Sequence, residues 1–556
     1  MRSLCAASLL PLAFGCATAG SGNRGADDLA GAPTIGASIG DDVVRVGGFG
    51  QVAALAVSRS RVYVVADGGV AIYDRLAQRW MTPVPLPQEG SRVARVTLAA
   101  ADPTGDALWV TFGSRLWLVR PATRFITSVA LVADARQLLV DRTGRGAYVF
   151  ANGWWSVSPS GALSPVPPGQ SPSRDDVLPS PDAQQILRET PGLQSFGALL
   201  TRDAQLRVWP LTTLARAPER NDVFAGTNGG GVFEVDPSFL RSTQMPYGMR
   251  GRGASAIALA ADGVWIAEDP YASPSPDLAI TFASEDLATW RWLSPVRGTL
   301  GVVSMAVRGR VACLATNAGA YVVDLDERRL QEPERFELAQ VGRQLVAWAT
   351  TDGCWIGGTS GTVRIPWSAD STRASFPVLA GLATFAFASS GDTVWAATQV
   401  GVRTFVGGRP IARAANLPAS NGGPPLPNAL GGAIRGLTLA GDGLALVTDG
   451  ELWLTSGMGR LATAQRVVAP LARLGRIRRL VADDATLWLG GSLGAAAYSL
   501  RDRSWRFVAL RDPALSFGLD AAVEDVRDVA LSPRAAWLAT GAGIVRVARG
   551  ADGMPR

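Results

Sequence analysis

Residues 487–508 read LWLGGSLGAAAYSLRDRSWRFV, and this stretch decides the fold. An apolar run containing Trp488 leads into small residues and glycine, then into alternating apolar residues, a charged turn and a second tryptophan. Such a segment could be a binding site or one copy of a repeated structural unit. Because the same pattern recurs along the chain, it indicates architecture rather than a site.

The recurring unit is recognised by a large anchor residue, usually followed about six residues later by glycine. The copies have a mean spacing of about 43 residues. Ile186 is assigned partly because it divides a gap of double length. The twelve anchors are Tyr63, Trp109, Tyr148, Ile186, Phe224, Trp265, Cys313, Trp355, Trp395, Leu444, Trp488 and Trp537.

Each copy has the sequence features of four short strands. Apolar runs alternate with period two, they are separated by Gly and Asp turns, and no segment sustains a helical period. Four-stranded repeats of this length are typical of β-propeller blades. We therefore predict an all-β protein, a β-propeller with about twelve four-stranded repeats, in which Trp488 and its equivalents pack between blades.

Twelve blades in one ring would leave a wide hole, so two tandem propellers of about six blades are expected. The predicted ranges are residues 41–298 and 299–556, with the junction near residues 294–301; seven plus five blades, or one large ring, are the alternatives. The last repeat lacks a fourth strand, and Asp41–Gly48 offers a spare one. The two ends are expected to share one blade, which would avoid an open sheet edge.

Two stretches resemble a known repeat family. Residues 434–454, IRGLTLAGDGLALVTDGELWL, and 477–500, IRRLVADDATLWLGGSLGAAAYSL, are similar to propeller repeats in sensor regions of hybrid two-component regulators. The resemblance spans about residues 50–545 and implies the fold, but no kinase-like region follows, so the signalling role is not carried over. Residues 284–290, SEDLATW, resemble the structural Asp-box turn of sialidase-type propellers, without its usual glycine.

The N-terminus has the features of an export signal. One charge, Arg2, precedes a short apolar stretch and then small residues, and residues 1–19 are interpreted as a signal peptide. The segment LAFGC ends at Cys16, which would be lipidated in a bacterial lipoprotein; cleavage after Ala19 and secretion, or no export, are the alternatives. Residues 20–40 are expected to be a flexible linker, and the location periplasmic or outer-membrane.

The composition limits the chemistry. The chain has 556 residues, a net charge of +6 and no histidine, which excludes a Ser-His-Asp triad and His-ligated metals. Its basic residues are dispersed arginines, so no nucleic-acid partner is expected. No catalytic residue, metal site or cofactor motif is identified. Cys313 and Cys354 are expected to be separate buried thiols, with a disulfide as the alternative.

Candidate binding residues fall into two groups. Arg435, Arg478 and Arg527 lie nine or ten residues before their anchors, so they are expected at one channel mouth, where they could bind an anion. The alternative is that each arginine pairs locally with acids such as Asp483, Asp484 or Asp528.

Partner-binding candidates are the aromatic residues of unusual loops and of the GWWSVS segment. These are Trp154, Tyr247 and Tyr271. The longer loops are Ser164–Asp182, Thr243–Gly253, Glu268–Asp277 and Asn416–Gly432.

The sequence thus favours an exported cell-envelope β-propeller that acts as a non-enzymatic binding or assembly scaffold for a protein partner. An anionic ligand or a glycan is also considered, and the only membrane attachment expected is the N-terminal lipid anchor. The alternative is an extracellular lyase or glycoside hydrolase that acts on a polysaccharide through carboxylates, Tyr and Arg. A sensor module serving a separate membrane partner is the third hypothesis.

Overall fold

A computed structural model describes residues 35–556, apart from several segments. Those segments are residues 39, 87–97, 113, 145, 219–221, 272–276, 295–297, 299, 327–333, 337, 368–375, 411–432, 458–462 and 512–520. Within the described residues the chain forms eleven antiparallel sheets, numbered here 1–11 along the chain.

Two strands precede sheet 1 and join later sheets; they are β1 (Ile35–Ser38) and β2 (Val43–Val46). Sheet 1 contains β3 (Val52–Val57), β4 (Arg61–Ala66), β5 (Gly69–Asp74) and β6 (Arg79–Trp80). Sheet 2 contains β7 (Leu98–Ala101), β8 (Leu108–Phe112), β9 (Arg115–Arg120) and β10 (Phe125–Ala130), with β1 outside β10. Sheet 3 contains β11 (Gln137–Asp141), β12 (Ala147–Phe150), β13 (Trp154–Val157), β14 (Leu163–Pro165) and β15 (Val177–Pro179), which pairs with β11.

Two helices follow, α1 (Ala183–Glu189) and α2 (Pro191–Leu200). Sheet 4 contains β16 (Leu211–Arg216), β17 (Val223–Thr227), β18 (Val232–Asp236) and β19 (Arg241–Met245). Sheet 5 contains β20 (Ala254–Leu259), β21 (Gly263–Glu268), β22 (Ile280–Ser284) and β23 (Trp290–Leu293). Sheet 6 contains β24 (Val302–Arg308), β25 (Val311–Thr316), β26 (Gly319–Asp324) and β27 (Glu334–Phe336), before a 3-10 turn at Ala339–Val341. Sheet 7 contains β28 (Gln344–Ala349), β29 (Gly353–Gly358), β30 (Gly361–Pro366) and β31 (Phe376–Ala380).

The remaining sheets complete the chain. Sheet 8 contains β32 (Thr384–Ser390), β33 (Thr393–Thr398), β34 (Gly401–Val406) and β35 (Arg409–Pro410). Sheet 9 contains β36 (Gly436–Ala440), β37 (Gly443–Val447), β38 (Leu452–Leu454) and β39 (Gln465–Val467), and α3 (Leu471–Leu474) follows. Sheet 10 contains β40 (Ile477–Ala482), β41 (Thr486–Gly491), β42 (Gly494–Ser499) and β43 (Trp505–Phe507), and α4 (Ala521–Glu524) follows. Sheet 11 contains β44 (Val526–Leu531), β45 (Ala535–Thr540) and β46 (Gly543–Ala548), with β2 outside β46.

Eleven of the twelve predicted anchors lie on the second strand of a sheet, one in each of sheets 1–11. Ten of these eleven side chains are buried, and each of the ten joins an apolar cluster shared with a neighbouring sheet. Trp488, for example, packs with Val526 and Leu538 of sheet 11. The prediction that Trp488 packs between blades is therefore confirmed, and burying such a ring stabilises the fold by roughly 1.5–3 kcal/mol.

The first strands show which sheets are neighbours. Those of sheets 5 to 11 lie against one another in order, and the first strand of sheet 11 returns to that of sheet 5. We call these seven sheets the cycle. In the same way sheet 4 lies against sheet 1, sheet 1 against sheet 2, and sheet 2 against sheet 3; we call these four sheets the array. First strands meeting around a common axis are typical of a β-propeller.

The array is closed on one side by helices rather than by a sheet. Ile186, Leu193 and Leu200 of α1 and α2 pack on the face of sheet 4 that points away from sheet 1. Asp182 caps α1 by accepting hydrogen bonds from the backbone N–H groups of Gln184 and Gln185. The assignment of Ile186 as a strand anchor was therefore wrong. Ile186 is buried against the face of sheet 4 on which another sheet would otherwise pack, but it lies on helix α1.

The two chain ends meet in sheet 11. Val43–Val46 pairs antiparallel with Gly543–Ala548, in the register that joins Val43 to Val547. The chain then leaves the cycle, builds the whole array and returns to the cycle at β20. The expected division at residues 298 and 299 falls between β23 and β24, whose sheets pack on each other. A split into propellers at 41–298 and 299–556 stays a prediction.

Cys313 on β25 and Cys354 on β29 form a disulfide bond between sheets 6 and 7, with a Cα–Cα distance of 6.0 Å. Both residues are fully buried in one cluster. The expectation of two separate thiols was wrong. Sequence alone could not decide this, because the two positions meet only when neighbouring sheets stack on their anchors.

An aromatic cluster joins the array to the cycle. The Tyr247 ring lies 4.9 Å from Phe49, 4.5 Å from Trp80 and 5.3 Å from Trp290, measured between ring centroids. Tyr247 is only 2% exposed. Its selection as a partner-binding residue was wrong, because its loop is folded inward and the ring fills the space between the two groups of sheets.

Candidate functional site

One residue at the start of each first strand in the cycle occupies a distinctive position. In six of the seven sheets it interrupts the register at a β-bulge, so that two residues oppose one on the second strand. Around the cycle, these residues are Ser255, Val303, Leu345, Phe385, Arg435, Arg478 and Arg527, and we call them the rim.

Arg435 belongs to the rim by register. The Arg435 N–H donates to the carbonyl oxygen of Val447, and Gly436 pairs with the same residue. Two consecutive residues thus oppose Val447, as in the bulges of the other sheets. In the hairpin of sheet 9, Ala445 takes the place of Trp395 in sheet 8, because Thr438 pairs with Ala445 as Ala388 pairs with Trp395. The anchor of sheet 9 is thus displaced by one position from Leu444. With that correction, all three arginines lie ten residues before their anchor position.

Each rim arginine is paired with a carboxylate. Arg435 Nε lies 2.8 Å from Asp449 Oδ1, and Arg478 Nη2 lies 2.7 Å from Asp525 Oδ1. Arg527 contacts Asp269 at 2.6 Å and Asp525 at 3.2 Å. Burial alone would lower the Arg527 pKa, but the two carboxylates raise it. The alternative of local pairing thus describes the structure, although the partners differ from the acids named in advance.

Three of the four other rim residues are apolar, which sequence reasoning missed; the fourth is Ser255. Val303, Leu345 and Phe385 occupy consecutive sheets beside the arginines, and Val303 is 41% exposed. The Arg435 guanidinium lies 4.4 Å from the centroid of the Phe385 ring, so it joins the two sectors by a cation–π contact. Counting ten residues back from every anchor, not only from those with arginine, would have found the apolar sector.

An ion pair next to the rim residues joins three sheets of the cycle. Arg479 Nε lies 2.9 Å from Asp528 Oδ1, and Asp528 also accepts the N–H of Ile257 on sheet 5. Asp528 therefore links sheets 10, 11 and 5. Burial raises the pKa of the Asp528 carboxyl, whereas Arg479 and the N–H groups of Ile257 and Val529 act against that shift. The pair fixes the three strands that carry Arg478, Arg527 and Ser255.

The other candidates are placed differently. Tyr271 is 84% exposed, and its N–H donates to Asp269, the partner of Arg527, so it lies beside the rim. Trp154 is half-buried on sheet 3 against Phe150, with 5.3 Å between ring centroids, and does not join the rim. Cys16 and the whole of Asn416–Gly432 lie outside the described residues.

The described part of the chain holds no group of three or more Cys, Asp or Glu side chains placed to bind a metal ion. None of its helices has the length and apolar character needed to cross a bilayer.

No protein-family model matches the chain, and no curated protein matches it. Solved structures with similar folds exist. YCF48 bound to a peptide has 12% identity and a TM-score of 0.39, over 54% of this chain and 94% of that one. Virginiamycin B lyase from Staphylococcus aureus, with quinupristin, has 11% identity and a TM-score of 0.40, over 54% and 95%.

A third similar structure is the extracellular domain of a hybrid two-component system from B. thetaiotaomicron. It has 11% identity and a TM-score of 0.31, over 93% of this chain and 83% of that one. The strand order and the stacking of the sheets, rather than these distant similarities, define this chain as a β-propeller protein.

Proposed function

We propose that the chain is an exported, non-enzymatic binding scaffold of the cell envelope, and that the rim is the surface that binds a protein partner. The observation that carries this proposal is the division of the rim into three consecutive apolar residues and three consecutive arginines. A protein segment with an apolar side chain next to an acidic one matches both sectors. Aromatic residues and Arg are also enriched where proteins bind one another.

The existing ion pairs of Arg435 and Arg478 leave these two side chains available to a partner carboxylate. Arg435 and Arg478 are each more than 40% exposed at the side chain, and ion pairs at such positions contribute about 0–1 kcal/mol. A partner carboxylate can replace Asp449 or Asp525 at little cost. By the same reasoning, a small free anion would gain little, so the anion-binding expectation is secondary.

Two features support export. Residues 1–19 have the pattern of a signal peptide, and Cys16 ends a lipoprotein-like segment. The buried Cys313–Cys354 disulfide is of the kind that persists in oxidising compartments, such as the periplasm. Localisation is tested by fractionating cells that produce the chain and by comparing Cys16→Ser with the natural sequence, since lipidation at Cys16 would place the protein in the membrane fraction.

The binding role is tested by affinity capture from detergent-solubilised envelope. One variant introduces charge into the apolar sector (V303E with F385E), and a second removes the cationic sector (R435Q, R478Q and R527Q). The matched control is V468E, an exposed apolar residue outside the rim. We expect one stoichiometric protein partner with the natural chain and the control, and loss of that partner with either rim variant.

A different result would reject the proposal. Retention of the same partner by both rim variants would show that binding occurs elsewhere. Turnover of an extracellular polysaccharide by the purified chain would instead support the lyase or glycoside hydrolase alternative.

A further inference from the structure

The antiparallel order of the strands gives each sheet two distinct ends. At one end the first and third strands begin and the second and fourth strands finish, and in the cycle this end carries the rim. We call the surface formed by these ends the rim face. The turns from first to second strands and from third to fourth strands lie on the opposite face. The place of a residue in its sheet therefore tells which face of the molecule it is on.

The array and the cycle present their rim faces on the same side of the molecule. Arg252 Nη2, just before β20 of the cycle, lies 2.5 Å from Asp67 Oδ2 in the β4–β5 turn of the array, and both positions are on the rim face. On the opposite face, the N–H of Trp80 at the start of β6 donates to the carbonyl oxygen of Ala288 in the β22–β23 turn, at 3.4 Å. Because equivalent ends of the sheets meet on both faces, the two groups of sheets have the same orientation.

Strand β1 shows on which face the N-terminal segment leaves the molecule. It pairs antiparallel with β10, in the register that joins Ile35 to Ser128 and Ser38 to Phe125. As the fourth strand of sheet 2, β10 begins at Phe125 on the opposite face and finishes at Ala130 on the rim face. Strand β1 runs the other way, so the chain that precedes Ile35 departs from the rim face of the array.

The course of the chain after β1 is held by a contact on the opposite face. Arg124, in the β9–β10 turn, is only 9% exposed. Its Nη1 donates to the carbonyl oxygen of Gly40 at 2.8 Å and pairs with the Asp41 carboxylate. Strand β2 then returns toward the rim face along β46 of the cycle. The exit of the N-terminal segment is thus set by pairing to both the array and the cycle.

The chain between Cys16 and β1 is short compared with the molecule. Residues 17–34 separate Cys16 from Ile35 and are rich in glycine and alanine. A Gly-rich chain of this length has a root-mean-square end-to-end distance of about 21–25 Å. A six-residue strand already spans about 20 Å. A lipid on Cys16 therefore reaches a membrane at the rim face without stretching this segment, whereas a membrane at the opposite face requires it to run along the whole side of sheet 2 first.

We infer that a lipid on Cys16 turns the rim face toward the membrane, so that the rim binds a segment of a membrane protein at the bilayer surface. The inference rests on the proposed function, because it takes the rim as the partner-binding surface and Cys16 as the lipidated residue. It adds the kind of partner: a membrane protein that places an apolar and an acidic side chain just outside the bilayer, opposite the two sectors of the rim.

The test measures the orientation of the lipidated chain on vesicles, with no partner present. The chain is purified from membranes in detergent and reconstituted into phosphatidylcholine vesicles that contain a headgroup-labelled acceptor lipid. A donor fluorophore is attached to one introduced cysteine. After processing at Cys16, the other cysteines of the mature chain are Cys313 and Cys354, which form the disulfide, so the introduced thiol is the single labelling site.

Two matched pairs of positions report the two faces. S114C in sheet 2 and S360C in sheet 7 lie on the rim face, and T123C and T351C lie on the opposite face of the same two sheets; all four side chains are exposed. Because the faces are about one strand length, roughly 20 Å, apart, we expect energy transfer to the acceptor lipid to be at least about twofold more efficient from each rim-face position than from its counterpart.

A change in β1 should reverse this difference. G36P with A37P places two residues without an N–H group in β1 and prevents its pairing with β10, while sheet 2 keeps its four other strands. The N-terminal segment would then leave at Gly40, on the opposite face. We expect transfer from T123C and T351C to exceed transfer from S114C and S360C in this variant. The matched control is G25P with A26P, the same dipeptide before β1, which should keep the natural orientation.

Several outcomes would overturn the inference. They are equal or weaker transfer from the rim-face positions, an unchanged ratio in G36P with A37P, and binding of the natural chain to vesicles no stronger than that of C16S, since no anchor would then hold the molecule. Vesicle binding by C16S that the V303E and F385E changes abolish would assign the rim to lipid instead. The partner captured by the rim should also be found in the membrane fraction of cells that lack this chain, and a soluble partner would contradict its assignment as a membrane protein.

Failure of the proposed function gives a different result. The V303E and F385E rim variant should orient on vesicles as the natural chain does, because orientation is measured without a partner. Natural orientation together with partner capture that both rim variants retain would reject the rim as the binding surface. Partner capture that depends on the rim, together with the opposite orientation, would reject this inference alone.

Discussion

The cycle and the array are built from the same repeat, yet they end differently. Every sheet of the cycle packs on two neighbours, because sheet 11 returns to sheet 5. In the array, helices α1 and α2 cover one face of sheet 4, and the anchor face of sheet 3 stays half-open, with Tyr148, Phe150 and Trp154 partly exposed. A repeat that stacks on its neighbours needs either a partner that closes the ring or a cap.

The difference shows in the anchors themselves. Tyr148 is the one anchor of the eleven sheets that is half-buried, although its sequence context matches the others. What an anchor buries depends on the sheet that packs next to it, and among the described residues no further sheet packs on sheet 3 in the array.

Trp537→Ala should have the largest effect. Trp537 is fully buried in the cluster that joins sheets 11 and 5 of the cycle to sheets 1 and 4 of the array. Loss of such a ring leaves a cavity and costs about 3–5 kcal/mol. We expect the free energy of unfolding, measured by denaturant titration, to fall by this amount in a single transition. L493A, an exposed position, is the control; two separate transitions would show that the cycle and the array unfold independently.

Removing the disulfide should come next. Cys313 and Cys354 are 41 residues apart and link two sheets of the cycle. Closing a loop of this size stabilises a protein by about 2–4 kcal/mol. C313A with C354A should therefore lower the denaturation midpoint, and a reducing agent should lower that of the natural chain but not of the variant. Equal midpoints for the oxidised and reduced natural chain would contradict the expected bond.

Ile186→Ala tests the helical cap of the array. The side chain is buried against sheet 4, and its truncation should cost about 2 kcal/mol, near the lower end for buried aliphatic residues, because the site lies at the edge of the array. Hydrogen exchange should accelerate in α1, α2 and sheet 4 and stay unchanged in sheets 6 to 9. Leu187→Ala, on the same helix and only partly buried, is the matched control. Faster exchange throughout the cycle would contradict a local cap.

The smallest effect concerns acid stability of the cycle. Asp483 of sheet 10 pairs with Arg549, which follows β46 of sheet 11. Burial alone would raise the Asp483 pKa, but Arg549 and the N–H groups of Thr486 and Ala485 hold it below its ordinary value. A carboxyl whose pKa is lower in the folded state stabilises the fold above the unfolded pKa of about 3.9, and this stability is lost as the pH falls through the folded pKa.

D483N should therefore lower the free energy of unfolding at neutral pH. In this variant the free energy of unfolding should also fall less steeply as the pH decreases below about 5. Denaturant titrations at a series of pH values measure this slope. D484N, on the neighbouring residue, should leave the slope as in the natural chain. An unchanged slope in D483N would mean that the pair with Arg549 does not contribute.

The sequence by itself determined the repeat, the four-stranded unit and the place of the anchors on the second strand. These features are local and can be recognised in the amino-acid sequence. They are the period-two alternation, the Gly and Asp turns, and a large apolar residue about every 43 residues. The shared register of Arg435, Arg478 and Arg527 was also readable, because equal spacing from equivalent anchors places residues at equivalent points of stacked blades.

The tertiary structure decided what depends on neighbours. It paired Cys313 with Cys354 and each rim arginine with a carboxylate. It also placed Tyr247 between the array and the cycle, and Ile186 on a helix. Each of these outcomes joins residues through the order in which sheets stack, and local sequence carries no record of that order. The closed cycle and the capped array arise from the same repeat because the ends of a stack, unlike its units, are set by what packs against the last exposed face.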